Sequence, residues 1–417
     1  MKKSRKSDLD PIKKFKVSNN LKFYGTIAFS ALAVTALFSF GFWFMSLFDR
    51  SKDNPVVNSP TSSQQTNITY PTNPSSTPLV SPPIPVNPTP SIYPISPITT
   101  NSGTFIYKVL NQTNFKSSNQ LDKIVNSVVE YSKENKLPTN ALSITLINTN
   151  TGEISEYQGK KERYPASVVK MFWLVAIYQR ISMGEANESF LKGAIEQMIY
   201  KSDNQGASQV LDTVTRTKST PEKLAEGELK IQKQQRQSLN DFFRQAGYSQ
   251  DINISQKTFP IPQENIMEPK GFDQQLRGDN PDKPIRNKLT TNDAARLMYE
   301  IVNAQAISPE ISKKMRGLLT RDINPNFWRK QPPNPVDFNP VESFFGQGLP
   351  ESKTENIVSK AGWTSASRQE VAFVKSKDGK TRYILAVFGD DIAYGKSKTL
   401  FPEISSLVYK KMRNLAN

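Results

Sequence analysis

Between Phe23 and Phe48 the sequence holds no charged residue, and 26 residues at about 1.5 Å of helical rise each outspan a hydrocarbon core of about 30 Å. Eight basic residues and two acidic ones precede this run in residues 1–22. The spacing predicts one transmembrane helix at 23–48, with the basic tail at 1–22 retained in the cytoplasm and everything C-terminal exported. The run ends in Phe42-Trp43-Phe44-Met45-Ser46-Leu47-Phe48. A cleaved leader would end in small residues, so an uncleaved anchor is expected. Residues 49–103 then turn to Pro, Ser, Thr and Asn, too poor in apolar side chains to offset their ordering entropy, and are expected to form a disordered linker, either a stiff extended stalk or a slack tether. Only 104–417 is left to build a core, and it is long enough for one large domain or two lobes. These boundaries are expected to make the protein a single-pass chain of a cytoplasmic membrane, its N-terminus inside and its folded domain on the exported side, periplasmic or extracellular.

The 417 residues include neither His nor Cys. Ser-His-Asp and Cys-His catalysis, imidazole acids and bases, His- or Cys-ligated metals and disulfides are therefore excluded. Serine, threonine, lysine, tyrosine and carboxylates remain as candidate catalysts. The net charge of +16 shows no Lys/Arg stripe interleaved with aromatics, and export argues against nucleic acid as a partner. A solvated basic surface accounts for the excess.

Within 104–417, Leu121, Ile124, Val125, Val128 and Val129 carry helical spacing. The apolar runs 142–147 and 154–157 flank the turn-forming Asn148-Thr149-Asn150-Thr151-Gly152 as a hairpin. Helices are predicted at 167–182, 188–199, 203–214, 234–246 and 291–304. A second hairpin is predicted at 371–374 and 383–388, then a closing helix at 402–414. Two isolated hairpins would be marginal, so the chain ends are expected to meet in one antiparallel sheet within an α+β fold. Stretches 248–290 and 322–356 lack periodicity and read as long functional or inserted loops.

Ser167-Val168-Val169-Lys170 opens the most apolar of the predicted helices. Residues three apart share a helix face, so Ser167 and Lys170 can meet at a helix N-terminus that favours developing negative charge. A lysine acts as a base only when its pKa is lowered, by burial or neighbouring positive charge. The same pattern recurs at Ser189 and Lys192 in an ordinary amphipathic segment, so the motif alone says little. Singly, Ser167 reads as an N-cap, Lys170 and Lys360 as surface charges, and Ser202-Asp203-Asn204 as a turn.

Taken in order, Ser167-x-x-Lys170, then Ser202-Asp203-Asn204, then Lys360-Ala361-Gly362 before the last hairpin resemble the penicillin-recognising serine hydrolases, most closely class A β-lactamases. The resemblance covers roughly 105–417. It implies a β-lactamase/transpeptidase-like fold, with a helical lobe set between two sequence halves of an α/β lobe. It also implies Ser167 as acylated nucleophile, Lys170 as its base, Ser202 as proton relay to the leaving nitrogen, and Asn204 as holder of the substrate amide. Lys360 would bind the ligand carboxylate and depress the pKa of Lys170. Gly362, Trp363 and Thr364 would line the substrate strand, with the Ser167 and Trp363 N–H groups forming the oxyanion hole. One such donor is typically worth about 10²–10³ in rate. Asp203 would orient the loop. No metal or cofactor is implied, because Ser-Lys chemistry supplies its own nucleophile and base.

Two departures mark the chain. The Glu-x-x-Leu-Asn context of the family's deacylating glutamate is missing; Glu268 is the nearest substitute and Glu264 the next. Ala361 stands where the family has Thr or Ser, a loss of about 1.5–3 kcal/mol toward a charged carboxylate unless Thr364, Ser365, Ser367 or Arg368 compensates. The expected function is a membrane-anchored β-lactamase-like serine hydrolase opening β-lactam amide bonds. The alternatives are a D,D-peptidase or penicillin-binding enzyme acting on peptidoglycan stem peptides, and a catalytically impaired wall-binding or β-lactam-sensing module.

Overall fold

The computed structural model describes residues 105–111, 114–330 and 338–416. The basic tail, the expected membrane helix and the linker lie outside the described residues, as does the short stretch 331–337 inside the second long loop. Among the described residues no helix is long and apolar enough to cross a membrane.

Strands β1 (Lys116–Ser117), β2 (Leu142–Asn148), β3 (Glu153–Tyr157), β4 (Thr320–Arg321), β5 (Ile357–Thr364), β6 (Ser367–Lys375) and β7 (Arg382–Gly389) form one sheet in the order β1-β3-β2-β7-β6-β5-β4. The expected meeting of the chain ends occurs where β2 pairs antiparallel with β7, Leu142 opposite Gly389 through Asn148 opposite Tyr383. The sheet is mixed rather than wholly antiparallel, because the two-residue β1 runs parallel to β3.

Strand alternation sorts side chains into two cores. On β7, Ile384, Ala386 and Phe388 join the cluster shared with the helical lobe. Tyr383, Leu385 and Val387 join the outer cluster, with α1 (Asn119–Glu134) and the C-terminal α11 (Leu400–Ala416). The same two-residue period on β5 puts Val358 inward and Ile357 and Ala361 outward. Lys360 and Gly362 therefore share the inward face with Val358.

The helical lobe comprises α2 (Val169–Ser182), α3 (Glu188–Glu196), α4 (Asn204–Thr215), α5 (Glu226–Arg244), the short α6 (Gly271–Gln275), α7 (Thr291–Val302) and α8 (Pro309–Leu319). Two further short helices are α9 (Pro325–Trp328) and α10 (Ile392–Lys396). α2 is buried along all but its last two residues, as its nearly uninterrupted apolar sequence requires. It starts at Val169 rather than Ser167. Ala166 holds a φ of +44°, which no α-helix accepts, and a tight 3₁₀ turn over Ala166–Val168 leads in. α5 begins eight residues before the predicted 234, in the exposed run Glu226-Gly227-Glu228-Leu229-Lys230, where charge and propensity rather than an apolar stripe make the helix.

Candidate active site

The cleft lies where the N-terminus of α2, the turn into α4 and the edge of β5 converge. Its lining includes Ser167, Ser202, Asn204, Thr258, Phe259, Pro260, Phe338, Glu342, Trp363, Thr364, Arg368 and Lys398. β4 pairs with β5 only at Ile357 and Val358. Beyond that point no strand among the described residues pairs with the outer edge of β5 from Lys360 to Thr364, so that edge can face a ligand.

Gly362 sits hard against the nucleophile's turn. A Cβ placed on it would lie 2.8 Å from the Ser167 nitrogen and 2.9 Å from the Pro165 carbonyl oxygen. Only glycine lets β5 approach the Ser167 amide this closely, and Trp363 follows directly along the strand. The half-exposed Trp363 is pinned by its indole N–H, which donates to the Gly395 carbonyl at 2.7 Å. Ala166, immediately before Ser167, is held in the left-handed region, a strain of the kind concentrated at functional sites.

The Ser202-Asp203-Asn204 turn is shaped from both sides. α3 runs on into a π-helical turn, Gln197–Lys201, which ends at Ser202 with a φ of +55°. Asp203 then caps α4 by accepting from the Gly206 N–H at 2.7 Å, and its other oxygen accepts from Gln263 at 3.0 Å. Asp203 thus orients the turn, as the sequence implied.

Lys170 has no exposed surface. Its Nζ donates to the Ser202 carbonyl and, at 2.7 Å, to Asn204 Oδ1. Burial drives its pKa from an ordinary 10.5 to about 7, against the opposing pull of Asp203. Lys360, also buried, donates to Ser202 Oγ at 3.0 Å and to the Ala361 carbonyl at 2.8 Å. Its pKa is pushed well below the usual lysine value, first by burial and then by repulsion from Lys170 and Arg321. The sequence had Lys360 depressing Lys170; here burial lowers Lys170, and the repulsion falls on Lys360.

Five sequence-assigned groups are thus brought together: Ser167, Ser202 and Asn204 line the cleft, Lys170 bonds to Ser202 and Asn204, and Lys360 bonds to Ser202. Glu268 is not among them. It is exposed and absent from the cleft lining, as is Glu264. The wall beside Asn204 is formed instead by Thr258, Phe259 and Pro260. Thr258 Oγ1 donates to Asn204 Oδ1 and Asn204 Nδ2 donates to the Pro260 carbonyl, both at 2.7 Å. The carboxylate among the lining residues is Glu342, exposed on the segment that also carries Phe338 and Phe344. The Phe338 ring lies 5.7 Å from Lys360 Nζ.

Ala361 is fully buried in the outer cluster that includes Phe344, Phe345 and Tyr394, so its methyl packs behind the strand. Of the proposed compensating groups, the Thr364 and Ser367 hydroxyls bond each other at 2.8 Å. The buried Arg368 guanidinium is spent on the Ser343, Tyr394 and Gly395 carbonyls. Thr258, Phe259, Pro260, Arg321 and Glu342 escaped the sequence reading. The only signal for most of them was that they fall in the two aperiodic stretches singled out as functional loops.

A helical lobe joined to a mixed sheet, with a buried lysine behind a serine at the junction, is the arrangement of penicillin-recognising serine hydrolases. A family model described as the Beta-lactamase enzyme family matches residues 120–412, and the chain belongs to that family. No curated protein matches. Among solved structures, a β-lactamase from Sphaerobacter thermophilus DSM 20745 is 16% identical over 70% of this chain and 97% of its own, with a TM-score of 0.48. The structure of PBP-A is 15% identical over 73% and 100%, with a TM-score of 0.49. A variant of the last common ancestor of Gram-negative class A β-lactamases is 16% identical over 70% and 99%, with a TM-score of 0.47.

Proposed function

We propose that the protein is a serine acyl-transfer enzyme whose Ser167 opens β-lactam amide bonds to form an acyl-enzyme, and that it releases this intermediate slowly. The observation that carries the reading is the buried Lys170. A neutral amine has two N–H donors and one lone pair, and both donors are used by Ser202 and Asn204. The lone pair is left to receive the Ser167 proton as the hydroxyl oxygen attacks the lactam carbonyl. Negative charge developing on the lactam carbonyl oxygen would meet the N–H groups of Ser167 and Trp363. Ser202, bonded to Lys360, is placed to pass the proton to the departing nitrogen, while Asn204 has one amide N–H left after Pro260 for a ligand carbonyl. A ligand carboxylate would favour the protonated form of Lys360.

Slow release is supported by the wall at Thr258, Phe259 and Pro260, which carries no carboxylate to activate water, the lining's one carboxylate, Glu342, being exposed on another segment. The same observation favours a second reading, in which a stem-peptide amine of peptidoglycan rather than water takes the acyl group. The uncharged run at 23–48 and the Pro/Ser/Thr-rich linker support a membrane-tethered enzyme working outside the cytoplasm. The test is to incubate the full-length protein and Ser167→Ala with a fluorescent penicillin and follow the labelled band. Label that forms only on the wild type and persists after chase supports the proposal. Label that decays within seconds makes the enzyme a fast β-lactamase, and its absence with several β-lactam classes sinks the acyl-serine reading.

A further inference from the structure

We propose that Thr258 is a positioning residue for this site, its hydroxyl holding the Asn204 amide with its oxygen on Lys170 and its nitrogen toward the cleft. The proposal rests on the reading of Ser167 as nucleophile and Lys170 as base. The amide's orientation follows from its neighbours. The Pro260 carbonyl can only accept, so Nδ2 faces it, and Oδ1 is left to receive Lys170 and Thr258. In the flipped orientation Oδ1 would confront the Pro260 carbonyl. Nδ2 would then donate into the lone pair of neutral Lys170, the pair needed for the Ser167 proton. The Pro260 carbonyl thus sets which way the amide faces, and the Thr258 hydroxyl, which could donate or accept, fixes the position of the side chain and puts a second donor on Oδ1.

Thr258 is itself held from behind. Lys257, next in the chain and buried, bonds Ser219 and reaches Asp212 Oδ2 at 2.5 Å. Arg236, fully buried, binds Asp212 Oδ1 at 2.9 Å and the Ser255 carbonyl at 3.3 Å. Asn287 clamps Gln256 through both its backbone N–H, at 2.9 Å, and its carbonyl, at 2.7 Å. Residues 255–258 are thus bolted to α4, to α5 and to the strand-like segment at 286–289, and the Thr258 hydroxyl arrives at Asn204 with little freedom to lose. The charged groups facing Lys170 are Asp203 and Lys360, and neither contact involves Thr258. A second donor on Oδ1 also makes that oxygen a poorer acceptor for an ammonium. Removing the hydroxyl should therefore favour protonated Lys170 and move the acid limb of acylation to higher pH.

The experiment compares full-length wild type, Thr258→Val and Thr258→Ser by single-turnover labelling with a fluorescent penicillin from pH 5.5 to 9, with melting temperatures recorded alongside. Loss of one hydrogen bond predicts a second-order labelling constant about three- to tenfold lower in Thr258→Val, an acid limb displaced upward, and recovery of both in Thr258→Ser. An unchanged constant and limb in Thr258→Val overturns the proposal. A slower rate that tracks only a lower melting temperature, with the limb in place, also overturns it and makes Thr258 merely structural. If the wild type itself takes no label, the acyl-serine reading has failed and takes this proposal with it.

Discussion

The Lys170 ammonium is held near a pKa of about 7 instead of 10.5 because the side chain has no exposed surface, and this sets the pH dependence of acylation. At its ordinary value a lysine is neutral at pH 7 in only about 3 molecules in 10⁴, whereas at a pKa near 7 about half are, roughly a thousandfold gain in competent base. The competent fraction is about one-tenth at pH 6 and about nine-tenths at pH 8. The second-order rate of penicillin labelling should therefore rise close to tenfold between those pH values and level off above pH 8. Because burial lowers the pKa, activity is present above it and lost as pH falls through it. Lys170→Arg, which cannot deprotonate in this range, should label at least 10²-fold more slowly at every pH, the usual minimum loss when a general base is removed. The assay is stopped-flow or quenched labelling in buffers of constant ionic strength. A rate that is flat between pH 6 and 8, or that climbs steadily to pH 10, would refute the assignment of Lys170 as the base.

Gly362→Ala forces a methyl to within 2.8 Å of the Ser167 nitrogen, so β5 must retreat from the oxyanion site. Labelling should slow by about 10²-fold, the worth of one displaced donor, while circular dichroism still reports a folded chain. Lys360 is pushed well below the usual lysine pKa by burial and by Lys170 and Arg321. An arriving carboxylate should therefore draw a proton onto it, and titration calorimetry in buffers of different ionisation enthalpy should register proton uptake on binding of a carboxylate-bearing ligand to Ser167→Ala. Phe259 lies between the two residues that touch Asn204, so Phe259→Glu puts a carboxylate on that wall and should speed label decay by about tenfold or more. Glu268→Gln, altering an exposed residue outside the cleft lining, should leave the decay unchanged.

Much of the fold was legible because local rules agreed with the packing. The short apolar runs at 142–147 and 383–388 and the turn residues beside them dictated hairpins, and the period along 121–129 dictated α1. What escaped were elements set by caps or by distant partners. α8 was announced by Ser308 and Pro309, an N-cap accepting from Ile311 at 3.2 Å followed by proline in the first turn, but its apolar stripe is thin, with only Met315 and Leu319 as buried apolar residues. The parallel β1 edge is two residues long and has no periodicity to read. At the site, Ser167, Lys170, Ser202, Asn204 and Lys360 stood in recognisable order. The walls did not: Thr258 and Asn204 are 54 positions apart, and no local pattern in the aperiodic loop says which hydroxyl will meet which amide. Ala361 could be placed only once the strand register put it behind the sheet rather than in the cleft.

The proposed chemistry makes one bond, between Ser167 Oγ and the carbonyl carbon of a β-lactam. Intact-mass spectrometry of the full-length protein after brief exposure to benzylpenicillin, followed by peptide mapping, reads it directly. One added ligand mass is expected, located on the peptide containing Ser167, persisting for many minutes and absent from Ser167→Ala. An adduct on another residue, or an equal adduct on Ser167→Ala, would contradict it.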